Sequence, residues 1–307
     1  MKIINISDIH GDFETFAKAL KIIKTSDAEV LAINGDLAGN VFEGKEKDSF
    51  INISKTFYNF LSQIYNHTNG QIKTIHDTAK FLISNRVKAP DELKKFAEDY
   101  LGFEKKAEER MLRQYQEFKQ RFDDLEQKVI LIPGNWDGKC INDFLEQENI
   151  HNISGKEING IKFVGYGGSK EHPVNLPLDL TVHYNKDEAY SHLCKHEDAE
   201  IALSHNVPRG FEFNGRPPGE YSLLAYLYRN APSLILTGHT HNPFVSKEKK
   251  TGTIVANPGN LGRYENQNFG TFLEIDIDNN FFVKPISLYK INKNSIDEYK
   301  FEELISQ

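Results

Sequence analysis

The chain has 307 residues, 39% of them hydrophobic and 26% charged, with 21 Gly and 11 Pro, a composition that supports a sizeable core and excludes the disordered, collagenous and coiled-coil classes. At roughly 150 residues per domain, the length fits two domains or one α/β domain carrying an insertion. The formal charge of −7, from 37 basic and 44 acidic side chains, argues against a nucleic-acid backbone as main partner, and two cysteines, Cys140 and Cys194, exclude a disulfide framework and Cys-type zinc sites.

Residues 2–7 (KIINIS) read as a buried strand that stops at Asp8-Ile9-His10. This run meets a carboxylate too early for a signal segment or a membrane span, so a soluble cytoplasmic protein of a reducing compartment is expected. Residues 13–23 place Phe13, Phe16, Ala17, Leu20 and Ile23 at helical spacing, and residues 30–34 (VLAIN) form a second strand ending at Gly35-Asp36.

Residues 41–128 differ in texture and are expected to be a helical insertion into a core made of residues 1–40 and 129–307. Phe50, Ile53, Phe57, Phe60, Leu61 and Ile64 step at helical spacing, Ile75, Ala79 and Leu82 follow, and after Pro90 a long stripe runs from Phe96 through Tyr100, Ala107, Met111, Tyr115 and Phe118 to Leu125. At a rise of about 1.5 Å per residue the last helix approaches 50 Å, more than a six-residue strand can back, so it is expected to protrude. Leaving just after Asp36, the insertion is placed to rim a site there as a partial cap. Its stripes would otherwise pair with one another or with a second subunit.

Residues 129–133 (VILIP) make a third strand, followed by Gly134-Asn135-Trp136-Asp137; residues 200–204 (EIALS) end at His205; residues 219–230 read as a helix; and residues 233–237 (SLILT) end at Gly238-His239-Thr240-His241. Turn signals crowd the second half at Asn159-Gly160, Lys250-Thr251-Gly252 and Asp278-Asn279-Asn280, which suggests a second, more antiparallel sheet. Five strands thus each deliver polar side chains at their carboxyl ends, where open α/β sheets bind ligands. Collected, they are Asp8, His10, Asp36, Asn135, His205, His239 and His241, all oxygen or imidazole donors that suit Mn, Fe, Zn or Ni. Seven donors exceed one four-coordinate zinc and match two metals sharing a carboxylate. His67, His76, His151, His192 and His196 have no such placement and are read as solvated or locally hydrogen-bonded.

Asp8-x-His10, Gly35-Asp36, Gly134-Asn135, His205 and Gly238-His239-Thr240-His241, in this order, resemble the calcineurin-like metallophosphoesterase superfamily. The resemblance implies a four-layer α/β/β/α sandwich. It also implies Asp8, His10 and His241 on one metal, Asn135, His205 and His239 on the other, and Asp36 between them, with a bridging hydroxide as nucleophile and Mn or Fe as the preferred ions. Asp36, Asn135 and His239 are the expected catalytic residues.

Much of the superfamily has a histidine after the third-motif asparagine, as the proton donor to the leaving group. Here that place is Trp136, whose indole N–H is no general acid near neutral pH. His172, after Gly167-Gly168-Ser169, and Arg209, four residues past His205, are candidate substrate contacts. Trp136 could stack on a substrate ring, and Asp137 is read as a cap of the following helix. A similar loss of the histidine, and a loop like residues 257–263 (NPGNLGR), occur in small bacterial and archaeal phosphodiesterases of the superfamily. The expected function is hydrolysis of a small phosphodiester, with no membrane partner. The alternatives are a phosphomonoesterase; a nuclease using Lys94, Lys95, Lys105 and Lys106; and a scaffold like the superfamily's retromer subunit, docking or forming a homo-oligomer through residues 41–128.

Overall fold

Apolar side chains occupy both faces of the central strands, and those strands are buried on both faces as a consequence. In β1 (Lys2–Ile6) and β2 (Val30–Asn34), Ile4, Ile6, Leu31 and Ile33 face a helical layer, while Ile3, Val30 and Ala32 face a second sheet. The structure is a computed structural model that describes residues 1–67, 72, 74–84, 90–145, 150–152, 155–173, 176–211, 219–263, 267–278 and 280–301.

The first sheet has the order β13-β12-β11-β1-β2-β3-β4. Here β3 is Lys128–Ile132, β4 Ile150–Asn152, β11 Gly270–Ile277, β12 Val283–Ile291 and β13 Ile296–Lys300. The strands from β1 to β4 are parallel, and β11 to β13 are antiparallel. The second sheet runs β5-β6-β7-β8-β10-β9, with β5 Lys156–Ile158, β6 Ile161–Tyr166, β7 Ile201–Ser204, β8 Leu234–Leu236, β9 Pro243–Lys247 and β10 Ile254–Pro258. Ile130, Phe163, Leu203, Leu236 and Ile275 fill the space between the sheets. The outer face of the second sheet is covered by α6 (Lys186–Cys194) and α7 (Tyr221–Asn230) through Leu193, Tyr226 and Leu227. With α1 (Phe13–Ile23) on the first sheet, the layers are helix, sheet, sheet, helix.

The turns after Asn159, near Thr251-Gly252 and beside Asp278 do join hairpin strands, although Asn279 lies outside the described residues. They do not build a separate antiparallel sheet. The second sheet is parallel through β6, β7, β8 and β10 and antiparallel only at its edges, and β11 to β13 extend the first sheet beside β1. Turn chemistry fixes which strand pairs next, not which sheet receives the pair. The receiving sheet follows from burial: β11 sends Leu273 and Ile275 to the inter-sheet space and Phe272 to the helices, so it needs cover on both faces.

Between β2 and β3 the chain forms α2 (Gly44–His67), α3 (Ile75–Ile83) and α4 (Asp91–Phe122). Pro90 precedes α4, with Asp91 and Glu92 in its first turn and Lys119 and Arg121 in its last, each complementing the helix dipole. Over its 32 residues α4 is about 48 Å long, yet its stripe is covered from Ala97 to Phe122 instead of protruding bare. Phe118 packs on Phe13 and Phe16 of α1 at ring distances of 4.6 and 5.3 Å, and Tyr115 lies 5.6 Å from Phe144 of α5 (Ile141–Leu145). Towards the other end Tyr100 meets Phe50 and Phe57 of α2. The side chains of Phe60, Leu61, Ile64, His67 and His151 fall outside the described set. His76, expected to be solvated or locally hydrogen-bonded, instead joins α3 to α4, its Nδ1 lying 2.5 Å from the buried Glu104.

Candidate metal centre

The parallel strands β1, β2, β3, β7 and β8 point their carboxyl ends at one place. Asp8 and His10 follow β1, Asp36 follows β2, Asn135 follows β3, His205 follows β7, and His239 and His241 follow β8. At Asp8, His10, Asp36, His239 and His241 the backbone is left-handed, with φ between 50° and 67°. A non-glycine residue pays for that conformation, and such strain gathers where side chains must be aimed. The neighbouring glycines permit the close approach of the strand ends: a Cβ on Gly134 would sit 2.1 Å from Asp36 Oδ1, and one on Gly238 would sit 2.0 Å from Ser7 Oγ.

Two groups of donors result, Asp8, His10 and His241, and Asp36, His205 and His239, the ligand atoms of each lying within 4.8 Å of one another. His241 Nε2 is 3.1 Å from Asp8 Oδ1 and 3.2 Å from His10 Nε2. His205 donates from Nδ1 to the Asn34 carbonyl at 2.6 Å, which turns Nε2 towards Asn135 Oδ1 at 2.9 Å and Asp36 Oδ2 at 3.4 Å. Asp36 Oδ2 also lies 4.0 Å from His10 Nε2, so one carboxylate faces both groups. Burial alone would lower the His205 pKa, but the Asp36 and Asp8 carboxylates hold it up to about 9. Burial would likewise raise Asp8, yet the histidines around it, His241 foremost, drive it well below the usual carboxylate range. Lone pairs of imidazole, amide and carboxylate therefore converge and call for positive charge between them. This donor set fits a pair of divalent cations.

Asp137 is buried and does not cap α5. Its carboxylate accepts the backbone N–H groups of Asp36 and Gly134, each at 2.8 Å, and of Leu37 and Ala38, each at 3.1 Å. It thereby fixes the two ligand loops after β2 and β3. Burial and the nearby Asp36 carboxylate push its pKa up to about 6 against these donors. The Tyr115 hydroxyl of α4 donates to Asp137 at 3.1 Å and accepts from Gly138 N–H at 2.9 Å, and Gln114 accepts from Gly39 N–H at 2.9 Å. In residues 257–263, the N–H groups of Leu261 and Gly262 bond the Ser7 and Asp8 carbonyls, and Asn257 donates to the Gly238 carbonyl at 2.6 Å.

Of the substrate candidates, half-buried Trp136 stands edge-on to His10 with centroids 5.3 Å apart, and its backbone N–H donates to Asp36 Oδ1 at 2.7 Å. The Arg209 guanidinium lies over the Tyr221 ring at 5.5 Å. His172 donates from Nε2 to the Leu176 carbonyl at 3.0 Å and has Thr181 Oγ1 3.3 Å from Nδ1, and burial lowers its pKa to about 4. Sequence reasoning missed Ser169 and Glu171, which lie 3.3 and 3.4 Å from His239 Nε2. The Gly167-Gly168 pair beside them was the available signal. It also missed Tyr115, whose signal was a hydroxyl in a stripe of Phe and Met.

The family model of the calcineurin-like phosphoesterases matches residues 1–243. The chain belongs to that family. No curated protein sequence matches this phosphoesterase. Among solved structures, one at 13% identity aligns over 98% of this chain and 99% of its own with a TM-score of 0.55. TT1561 of Thermus thermophilus, at 15% identity, covers 92% of this chain and 96% of its own with a TM-score of 0.50. An archaeal phosphodiesterase at 15% identity covers 98% and 100% with a TM-score of 0.38. The first two support the layered fold of the phosphoesterase and no more than the fold. Among the described residues, no helix is long and apolar enough to cross a membrane.

Proposed function

We propose that the protein is a two-metal phosphoesterase acting on a small phosphodiester. The observation that carries this reading is the Asp36 carboxylate, which faces His205 at 3.4 Å and His10 at 4.0 Å and so joins two donor groups into one site. Asp8, His10 and His241 would hold one cation, Asn135, His205 and His239 the second, and Asp36 both. When bound, a pair of Mn or Fe ions supplies a water acidic enough to ionise near neutral pH and neutralises charge on the phosphoryl oxygens. The protein's part is placement. His205 is held by the Asn34 carbonyl, and the loops bearing Asp36 and Asn135 are held by Asp137. Asn135 offers a neutral oxygen, which keeps the site more electropositive than a third carboxylate would. Arg209 and Trp136 flank the substrate in this reading, and His172, neutral at pH 7, is a wall and not an acid.

With Trp136 at the usual donor's place, a leaving group that needs little protonation is favoured. Neither Cys140 nor Cys194 is in a disulfide, which suits a reducing, cytoplasmic setting. The test compares hydrolysis of bis-p-nitrophenyl phosphate and p-nitrophenyl phosphate by metal-stripped protein reloaded with Mn²⁺, with Asp36→Asn as blank. Faster diester turnover is expected. A monoester preference overturns the diester assignment, and no turnover above the blank with metal bound moves the protein to a scaffold role.

A further inference from the structure

Each donor group draws on both sheets. Asp8, His10, Asp36 and Asn135 follow strands of the first sheet, and His205, His239 and His241 follow strands of the second. The turn of His239 and His241 supplies one ligand to each group. A slide of one sheet along the other would therefore open both groups at once. Between the sheets the contact is apolar, through Ile130, Phe163, Leu203, Leu236 and Ile275, and apolar attraction has no preferred direction.

Next to the ligands the contact becomes polar and directional. Asn34, the buried last residue of β2, donates from Nδ2 to Asn5 Oδ1 of β1 at 2.9 Å and to the Thr237 carbonyl, just past β8 of the other sheet, at 3.0 Å. Asn257 of β10 donates to Thr237 Oγ1 at 3.1 Å and to the Gly238 carbonyl at 2.6 Å. Four buried residues from two sheets thus form one hydrogen-bonded chain, and such a network specifies one arrangement where apolar packing accepts several. The Asn34 carbonyl accepts from His205 Nδ1 at 2.6 Å and from Ser7 Oγ at 3.1 Å, and Ser7 Oγ lies 2.5 Å from Asp8 Oδ2. Gly238 leaves no slack at this junction: an added Cβ would lie 3.0 Å from the Asn34 carbonyl oxygen and overlap Ser7 Oγ.

We propose that Asn34 is a positioning residue whose side-chain amide ties β2 to the end of β8 and so fixes the turn of His239 and His241 against Asp8 and Asp36. The effect on cations rests on the two-metal reading, whereas the tie itself does not. Asn34→Leu is close in volume, keeps the backbone carbonyl and removes both side-chain bonds. Asn5→Leu removes only the bond within the first sheet. Amide hydrogen exchange of the metal-free protein reads the tie, because Gly238 N–H bonds the His205 carbonyl at 3.1 Å and His239 N–H bonds Asp8 Oδ2 at 2.9 Å. In Asn34→Leu these two amides exchange about tenfold faster relative to the slowest core amides, the factor that loss of one buried hydrogen bond gives. In Asn5→Leu they keep the wild-type ratio.

The second readout is the electron paramagnetic resonance of the Mn²⁺-loaded protein. Two Mn²⁺ ions sharing a carboxylate at about 3.5–4 Å couple their spins, and the hyperfine lines stand at about half the spacing of a lone ion. The wild type and Asn5→Leu show the coupled pattern, and Asn34→Leu gives lone-ion lines in its place. Unchanged exchange at Gly238 and His239 in Asn34→Leu, or equal acceleration in Asn5→Leu, overturns the tie. A wild-type coupled spectrum in Asn34→Leu overturns its effect on the cations. Lone-ion lines in the wild type mean that the two-metal reading fails, and the exchange rates still decide the tie. If Asn34→Leu does not fold, Asn34→Ala, which removes the amide without adding a methyl group, is read by the same two measurements.

Discussion

Replacing Asp36 by asparagine removes the charge that faces both donor groups while keeping the side chain's shape. Asparagine also tolerates the left-handed backbone found there, with φ at 54°. The fold should survive and the chemistry should not. Turnover is expected to fall by at least roughly a hundredfold, with bound metal reduced in elemental analysis and far-ultraviolet circular dichroism unchanged. Full metal content with full turnover would remove Asp36 from the site. His172 gives a different, pH-dependent signature. Burial lowers its pKa from 6.5 to about 4, so between those values the unfolded chain binds a proton that the folded chain refuses. Its contribution to stability is complete above pH 6.5 and is lost as pH falls towards 4. Melting temperatures of the metal-free protein followed across this window should drop less steeply in His172→Asn than in the wild type. Equal slopes would mean that His172 is not held neutral.

At the scale of elements, α4 belongs to the site as much as to the core. Tyr115 donates to Asp137 and accepts from Gly138 N–H, and Asp137 holds the loops of Asp36 and Asn135. Tyr115→Phe keeps the ring packed on Phe144 and removes only the hydroxyl. It should cost about 1–3 kcal/mol of stability, because the Gly138 N–H is left buried without its acceptor, and weaken Mn²⁺ about tenfold in a competition titration. A stability loss with unchanged metal affinity would confine Tyr115 to the core. This link could not be read from periodicity. The helical stripe of Phe, Met and Tyr predicts burial of one face, but not that a hydroxyl on that face meets a loop 22 residues later. The strands were legible because short apolar runs stopped by Gly, Pro or a polar residue have few other readings, and the donors were legible because each sits just past such a run. Asp137, Ser169 and Glu171 were not, since their roles come from the folding-back of loops whose lengths carry no motif.

For the whole molecule, the insertion and the first sheet share one apolar cluster that includes Leu31, Leu131, Phe16, Met111, Phe118 and Phe122. Replacing residues 41–128 by a short linker should therefore abolish cooperative thermal unfolding instead of yielding a trimmed enzyme. A sharp calorimetric transition in the deletion variant would show that the insertion folds as a separate cap. Metal acts on the same scale. Saturating Mn²⁺ at about 100 times its Kd adds about 2.7 kcal/mol per site and should raise the melting temperature by roughly 5–10 °C, reversed by chelator. No shift would mean that the donor groups do not hold metal. Four layers were inferred from family likeness, whereas turn signals assigned all three hairpins to a second sheet, and the β11–β12 hairpin belongs to the first. Hairpin signals are local, and sheet membership is settled by which faces need cover.

The order in which the ligands are made has its own consequence. The Asp8 group is completed by His241, 233 residues later, and the Asp36 group by His239 of the same turn. At about 5–20 residues per second, a ribosome needs roughly 10–50 s to cover that interval. Throughout it, β1 also lacks β11, with which Lys2 pairs through Asp276. Neither donor group exists in part-made form with its full charge balance, so scavenging of stray cations by the nascent chain is limited to isolated carboxylates and imidazoles. Cation uptake at either complete group therefore waits for the turn that carries His239 and His241.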